Sequence, residues 1–428
     1  MDDNSPQAER GPVVNRRNAL KLSGIAGLAS VTGCLGGGTG ASGGSSGPIK
    51  VGLLADRTGG LAAAGIPMYK VAQYWRDQVN DGDGILGRDV ELIAPDPQSS
   101  NQQYQNQAQK LILDDGVNVL VGGITSASRE AMRPTIDDNS QLYFYPTQYE
   151  GGVCDEFTYV TAPTATQQLR PLVDYMMENF GTNAYFIAAD YNFGQISADW
   201  AQIYVEEAGG NVINQEFIPL SVSDFGSTID RIQGTDADWV LTLTVGANHV
   251  AFYKQAESAG VDLPMASTTA IGGTYEHQTT SPPVMSNLYG GWNYLEELET
   301  ENNQTFVESV REAYPDTPYV NQMAEGVYLA MRLYEEAATE AETTDMESVH
   351  QVLEGGISID SPQGQVSIDP ASHHLTQSVT VTKVTDDHSV EILDSQDGLE
   401  PTWLQDNCNL DEESTWSDPR TDMLKPDP

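Results

Sequence analysis

Residues 120–152 read LVGGITSASREAMRPTIDDNSQLYFYPTQYEGG, and their reading decides the fold. An apolar strand over 117–121 breaks on Gly122-Gly123, and Thr125-Ser126-Ala127-Ser128 follows where a helix should begin. A second strand over 142–145 then runs into Pro146-Thr147. Two strand ends therefore bring small hydroxyls, a phenol and helix N-terminal amides to one place, and in an open parallel sheet a ligand sits outside the carboxyl ends of the strands. Ser126 is predicted to be the N-cap, leaving nearby N–H groups to grip a carbonyl or carboxylate oxygen. The plainer reading has Ser126 only capping its helix and Tyr145 only packing.

Working outward, strands over 49–55 and 90–94 alternate with helices over 62–80 and 102–114. Asp81-Gly82-Asp83-Gly84 lacks the later ligands and closing Glu of a calcium loop and reads as a tight turn. A second alternating series begins near Thr166, with helices over 167–180, 197–208, 225–233 and 248–259 between strands over 184–189, 212–218, 238–244 and 264–267. The pattern predicts an α/β chain of two doubly wound lobes. Residues 293–298 read as a crossing segment, helices over 302–313 and 324–340 return to the first lobe, and strands over 366–368, 378–384 and 390–393 close the fold. The expected division is 49–165 with 293–355 as lobe 1, 166–292 with 356–400 as lobe 2, and 401–428 as an acidic tail without an assigned element.

The 428 residues suffice for two cores. Asp and Glu number 62 against 20 Lys and Arg, a formal charge of −42, which argues against a nucleic-acid partner because phosphate binding needs clustered cations. The 39% apolar content argues against disorder. A folded protein with so acidic a surface resembles those of salt-loving archaea. Asn15-Arg16-Arg17 and the short apolar run after it resemble a twin-arginine export signal over 1–33. Val31-Thr32-Gly33-Cys34 resembles a lipoprotein cleavage box with Cys34 as the lipidated residue, and a Gly/Ser-rich tether over 34–48 follows. The implied location is the extracellular face of the cell membrane. Cys154 and Cys408 read equally well as a disulfide or as two buried thiols.

No catalytic pattern emerges. Gly-x-Ser-x-Gly, Ser-x-x-Lys and the phosphate-binding glycine loops are absent, so neither an enzyme nor a cofactor is expected. His373 and His374 are adjacent and would point apart, which disfavours a shared metal and favours an exposed or hydrogen-bonded pair. The strand ends supply a neutral, aromatic cleft instead: Ser126, Tyr145 and Thr147 from lobe 1, with Asp190, Tyr191, Phe193, Gly246, Ala247, Asn248, Thr268 and Thr269 from lobe 2. Asp190 could accept a ligand N–H or cap the helix after it. A small planar amide suits such a site, because its N–H groups need acceptors, its carbonyl needs donors and its faces favour aromatic walls.

The runs TSASRE (125–130), FYPTQYEG (144–151), ADY (189–191), WNY (292–294) and SPQGQVSIDPASHHL (361–375) resemble the solute-binding proteins of urea and short-chain amide ABC transporters, a group within the branched-chain amino-acid-binding family. The resemblance spans 49 to about 397. It implies a two-lobed type I fold with a hinge of three crossovers, closure on urea or a small amide, and delivery to a membrane permease. It also implies ligand contacts at Ser126, Tyr145, Thr147, Tyr191 and Phe193. Ile124 departs from the family's aromatic residue, Thr268–Gly273 replaces a more acidic run, and Gly194 stands where many members have Pro. A branched-chain amino acid is the alternative ligand, and an intracellular amide sensor the alternative role.

Overall fold

The computed structural model describes residues 47–410. The export signal, Cys34 and most of the tether expected from the sequence lie outside them, as do residues 411–428. Apolar β1 (Ile49–Leu54) leads into α1 (Ala62–Asp81), β2 (Val90–Ile93) and α2 (Asn101–Lys110); β3 (Val119–Gly122), α3 (Ser126–Asp138), β4 (Tyr143–Tyr145) and β5 (Thr158–Val160) follow. These strands pair in parallel in the order β2-β1-β3-β4-β5. The helix expected over 102–114 instead ends at Lys110 and passes through one turn of π-helix, 111–115, before Gly116.

The second series comprises α4 (Ala165–Phe180), β6 (Asn183–Ala189), α5 (Asn192–Glu207), β7 (Asn211–Ile218), α6 (Gly226–Gln233), β8 (Trp239–Leu243) and α7 (Ala247–Ser258). It continues through β9 (Met265–Ser267), two single-turn helices α8 (Ile271–Thr274) and α9 (Glu276–Thr279), and β10 (Leu288–Trp292). The chain then forms α10 (Glu301–Ala313), α11 (Gln322–Glu340) and α12 (Met346–Glu354), and ends with β11 (Ser358–Ser361), β12 (Gly364–Ile368), β13 (Leu375–Val384), β14 (Val390–Leu399) and α13 (Thr402–Asn407). The second sheet runs β11-β12-β13-β10-β9-β8-β6-β7, with β14 paired to β13. Antiparallel β13 joins β10 and lengthens the parallel sheet on one side. This is the expected two-lobed α/β architecture.

The central parallel strands β1, β3, β6 and β8 are covered on both faces, which is why they read as nearly continuous apolar runs, whereas the outer strand β7 is half-buried and β14 largely exposed. Val51, Leu53, Val119 and Val121 pack with Trp75 of α1 and Val327 and Met331 of α11, while Leu54, Leu120 and Tyr143 pack with α2 and α3. Phe186, Leu241 and Ala266 face α4 and α5, and Tyr185, Ile187 and Val240 face α6 and α7. The chain passes between the sheets three times, after β5, after β10 and after α12. Ile359, Val366 and Ile368 of the last passage pack into the core of the first sheet although their strands hydrogen-bond into the second.

Both lobes use the same close approach of helix to strand end. A Cβ on Gly65 of α1 would lie 2.1 Å from the Asp56 carbonyl oxygen, and one on Gly194 of α5 would lie 2.1 Å from that of Ala189. Glycine at 194 lets α5 begin directly over the end of β6.

Of the two readings of the cysteines, the structure has the disulfide: Cys154 and Cys408 are bonded, with Cα atoms 5.4 Å apart. The bond ties α13, where the sequence predicts no element, to the segment after β4, and Trp403 packs edge-on against Trp200 at 5.9 Å. Because the bond closes a loop of 254 residues, it removes much unfolded-state entropy. Replacing Cys408 by serine should lower the unfolding free energy by about 2–5 kcal/mol in denaturant titrations, with the lobes still folded.

Candidate functional site

The carboxyl ends of the parallel strands in the two sheets face one another across a cavity of about 40 Å³. Leu61 and Ala64 come from the start of α1, Ile124 and Thr125 from the β3–α3 turn, and Thr147 and Gln148 from the segment after β4. The second sheet contributes Tyr191 and Phe193 after β6, Val245, Gly246 and His249 after β8, and Thr269 and Thr274 after β9; Met323 of α11 completes the wall. Thus Thr147, Tyr191, Phe193, Gly246 and Thr269, all expected from the sequence, meet here. Tyr191 and Phe193 form a tilted pair with ring centres 6.1 Å apart.

The cap of α3 is Thr125, not Ser126. Thr125 Oγ1 accepts from the Ser128 amide at 3.0 Å and Ser128 Oγ accepts from the Thr125 amide at 3.1 Å, forming a capping box. Threonine is a slightly weaker cap than serine, and the reciprocal Ser128 bond fixes the register. Ser126 falls one residue inside the helix, where its hydroxyl donates to Glu150 Oε2 at 2.5 Å.

Ser126 and Tyr145 are fully buried behind the cavity wall rather than among its lining residues. They surround Glu150, which has no exposed surface and lies 3.5 Å from buried Arg129. The Arg129 guanidinium sits 4.9 Å over the Tyr145 ring and 4.7 Å over that of Tyr149. Burial opposes its charge, but Glu150 and its neighbours outweigh that and raise its pKa further. Burial likewise pushes the Tyr145 phenol up, so it stays neutral. Asp190 is exposed and accepts from Gln195 at 3.0 Å; Tyr191, rather than Asp190, occupies the cap position of α5.

Several lining residues escaped the sequence reading, and Gln148 and His249 are the two among them that bear most on the chemistry of the cavity. Gln148 is buried and its Oε1 has no partner, leaving an acceptor to be satisfied at the cavity. Thr147 Oγ1 donates to the Gly123 carbonyl at 2.8 Å and so presents oxygen lone pairs to any further partner. His249 is the other residue: its Nδ1 lies 2.9 Å from Glu276 Oε1 and its Nε2 contacts the Thr244 carbonyl. Acceptors at both nitrogens call for two N–H donors. Burial works against the imidazolium, but Glu276 and the two hydrogen bonds outweigh it and raise the His249 pKa. The described lining residues include no Lys, Arg, Asp or Glu, so the charge of His249 is balanced by Glu276 just behind it.

The two histidines of 361–375 are both buried. His374 Nε2 bonds the Tyr149 hydroxyl at 2.5 Å and Nδ1 meets the Ser372 carbonyl at 2.7 Å, whereas His373 stacks on Tyr159 at 4.3 Å. His374 is thus hydrogen-bonded as expected and also braces the Arg129 cluster.

Since His249 titrates higher in the folded chain than in the unfolded one, its contribution to stability is full below about pH 6.5 and declines as pH rises through the raised value. Denaturant titrations of the wild type and His249→Gln should therefore diverge in acid and converge at higher pH.

The comparisons with known proteins agree with this geometry. Residues 48–389 match the periplasmic binding protein family. Leu/Ile/Val-binding protein homolog 6 of Brucella melitensis is 24% identical over 350 residues, covering 78% of this chain and 87% of that protein. A solute-binding protein of an ABC transporter from Rhodopseudomonas palustris, in complex with 3,4-dihydroxybenzoic acid, superposes with a TM-score of 0.75 at 20% identity, covering 83% of this chain and 99% of that one. A branched-chain amino acid transporter substrate-binding protein from Streptococcus pneumoniae, in complex with isoleucine, gives 0.71 at 20% identity, covering 81% and 99%. With two doubly wound sheets facing across a ligand-sized cleft and a family match over residues 48–389, the chain belongs to the periplasmic binding protein family.

Proposed function

We propose that this receptor captures urea or a comparably small neutral amide and delivers it to its permease, held at the outer membrane face by a lipid on Cys34. The observation that carries the reading is a small cleft whose charge is balanced. At roughly 10–15 Å³ per water-sized group, the cavity of about 40 Å³ accommodates a molecule of urea or formamide size. Gln148 Oε1 and the oxygen of Thr147 would accept amide N–H groups, the first turn of α3 beside Thr125 would donate to the carbonyl, and Tyr191 with Phe193 would cover the faces. Ser126 and Tyr145 would act by shaping the wall from behind. Contacts from both lobes would favour the closed state over the open one.

A branched-chain amino acid is the second reading, favoured by the names of the Brucella relatives. It requires partners for a carboxylate and an ammonium, and it requires a wider cleft than this one.

Thermal unfolding of the purified protein in molar salt separates the two readings. Sub-millimolar urea, acetamide or formamide should raise the melting temperature, because a ligand bound only by the folded state stabilises it by about 2.7 kcal/mol at a hundred times its Kd. Gln148→Leu should cut the affinity about two- to tenfold, the value of one hydrogen bond, without unfolding the protein. A response to leucine alone would overturn the amide assignment.

A further inference from the structure

Away from the cleft, three side chains converge where the chain enters β5. His350 lies on α12, four residues before Glu354, so both project from one face of that helix. Glu156 approaches from the segment that links Cys154 to β5. The ligand-capable atoms of all three lie within 4.8 Å of one another. His350 Nε2 is 3.4 Å from Glu354 Oε1 and 4.0 Å from Glu156 Oε1.

The arrangement differs from a surface ion pair in one respect. The His350 side chain is only 3% exposed, yet its Nε2 makes no hydrogen bond and points at the two half-exposed carboxylates. The other nitrogen, Nδ1, is held by the Tyr159 hydroxyl at 2.9 Å, and the ring is clamped by Phe157 at 4.8 Å. In the tautomer with Nδ1–H donating to Tyr159, the Nε2 lone pair faces the carboxylates. That is how a metal-binding histidine is ordinarily oriented.

We propose that Glu156, His350 and Glu354 bind a divalent transition-metal ion of the Zn²⁺ type. One imidazole and two carboxylates suit such an ion better than Mg²⁺ or Ca²⁺, which take oxygen ligands alone. Zinc bonds of about 2.0–2.2 Å place tetrahedral ligands roughly 3.3–3.6 Å apart; the His350–Glu354 separation already meets this, and the exposed Glu156 side chain needs only a small swing. The ion would clip α12 to the segment that the Cys154–Cys408 disulfide anchors, so it would stabilise the first lobe without touching the ligand cleft.

The test is a calorimetric titration of the chelator-treated, purified protein with Zn²⁺, paired with Glu156→Gln/Glu354→Gln. Both substituted side chains are substantially exposed, so this variant should fold. The wild type should bind one equivalent at least about tenfold more tightly than the variant, with a matching loss of the Zn²⁺-induced rise in melting temperature. Co²⁺ in place of Zn²⁺ should give a visible spectrum with nitrogen ligation that disappears in the variant. Equal Zn²⁺ affinity in the two proteins would mean adsorption to the acidic surface and would overturn the site, as would no binding, or Mg²⁺ and Ca²⁺ competing on equal terms.

Discussion

A carboxylate with no exposed surface, such as that of Glu150, must be satisfied within the fold, and much of the cleft is arranged to do so. Ser126 donates to one oxygen, and Arg129, itself 2% exposed, lies against the other. Tyr145 and Tyr149 receive the guanidinium on their faces, and His374 fixes Tyr149 through its hydroxyl. Removing one partner of such a pair strands a buried charge at a cost of about 3–5 kcal/mol. The Glu150 carbonyl meanwhile accepts from Trp200 Nε1 at 3.2 Å, so the same residue joins the first lobe to α5 of the second.

Two charged pairs thus lie buried close to the cleft, Arg129 with Glu150 on the first lobe and His249 with Glu276 on the second. Each cancels internally, and the cavity between them is left nearly neutral. For a chain with 62 acidic and 20 basic side chains this is a distinct local environment. Long-range repulsion among exposed carboxylates is screened by salt, whereas buried pairs are screened much less. The electrostatics of the cleft are therefore set locally, while the surface responds to the medium.

Much of this was legible in the sequence because parallel strands covered on both faces must be apolar throughout and must end on turns. The runs around β1, β3, β6 and β8 declare themselves in that way, and Thr147, Tyr191, Phe193, Gly246 and Thr269 follow as residues at strand ends. The polar interior was not legible. Nothing in TSASRE says that Arg129 turns inward while Glu130 turns out, because that depends on Glu150 arriving from 21 residues away. The exchange of Thr125 for Ser126 as cap is a one-residue register choice made by the reciprocal Ser128 bond. Helix α12 was missed because its short amphipathic pattern, MESVHQVLE, carries only a few apolar positions, and the Cys154–Cys408 pairing required the fold itself.

The central claim, that the cleft takes a small neutral ligand, is tested most directly by titrating the purified protein with acetamide and with acetate in a calorimeter at constant salt. The two are near-isosteric and differ in charge and in the N–H groups that Gln148 and Thr147 would receive. The account predicts saturable heat with acetamide and none with acetate. Tighter binding of acetate would show that the cleft recognises an anion and would contradict it.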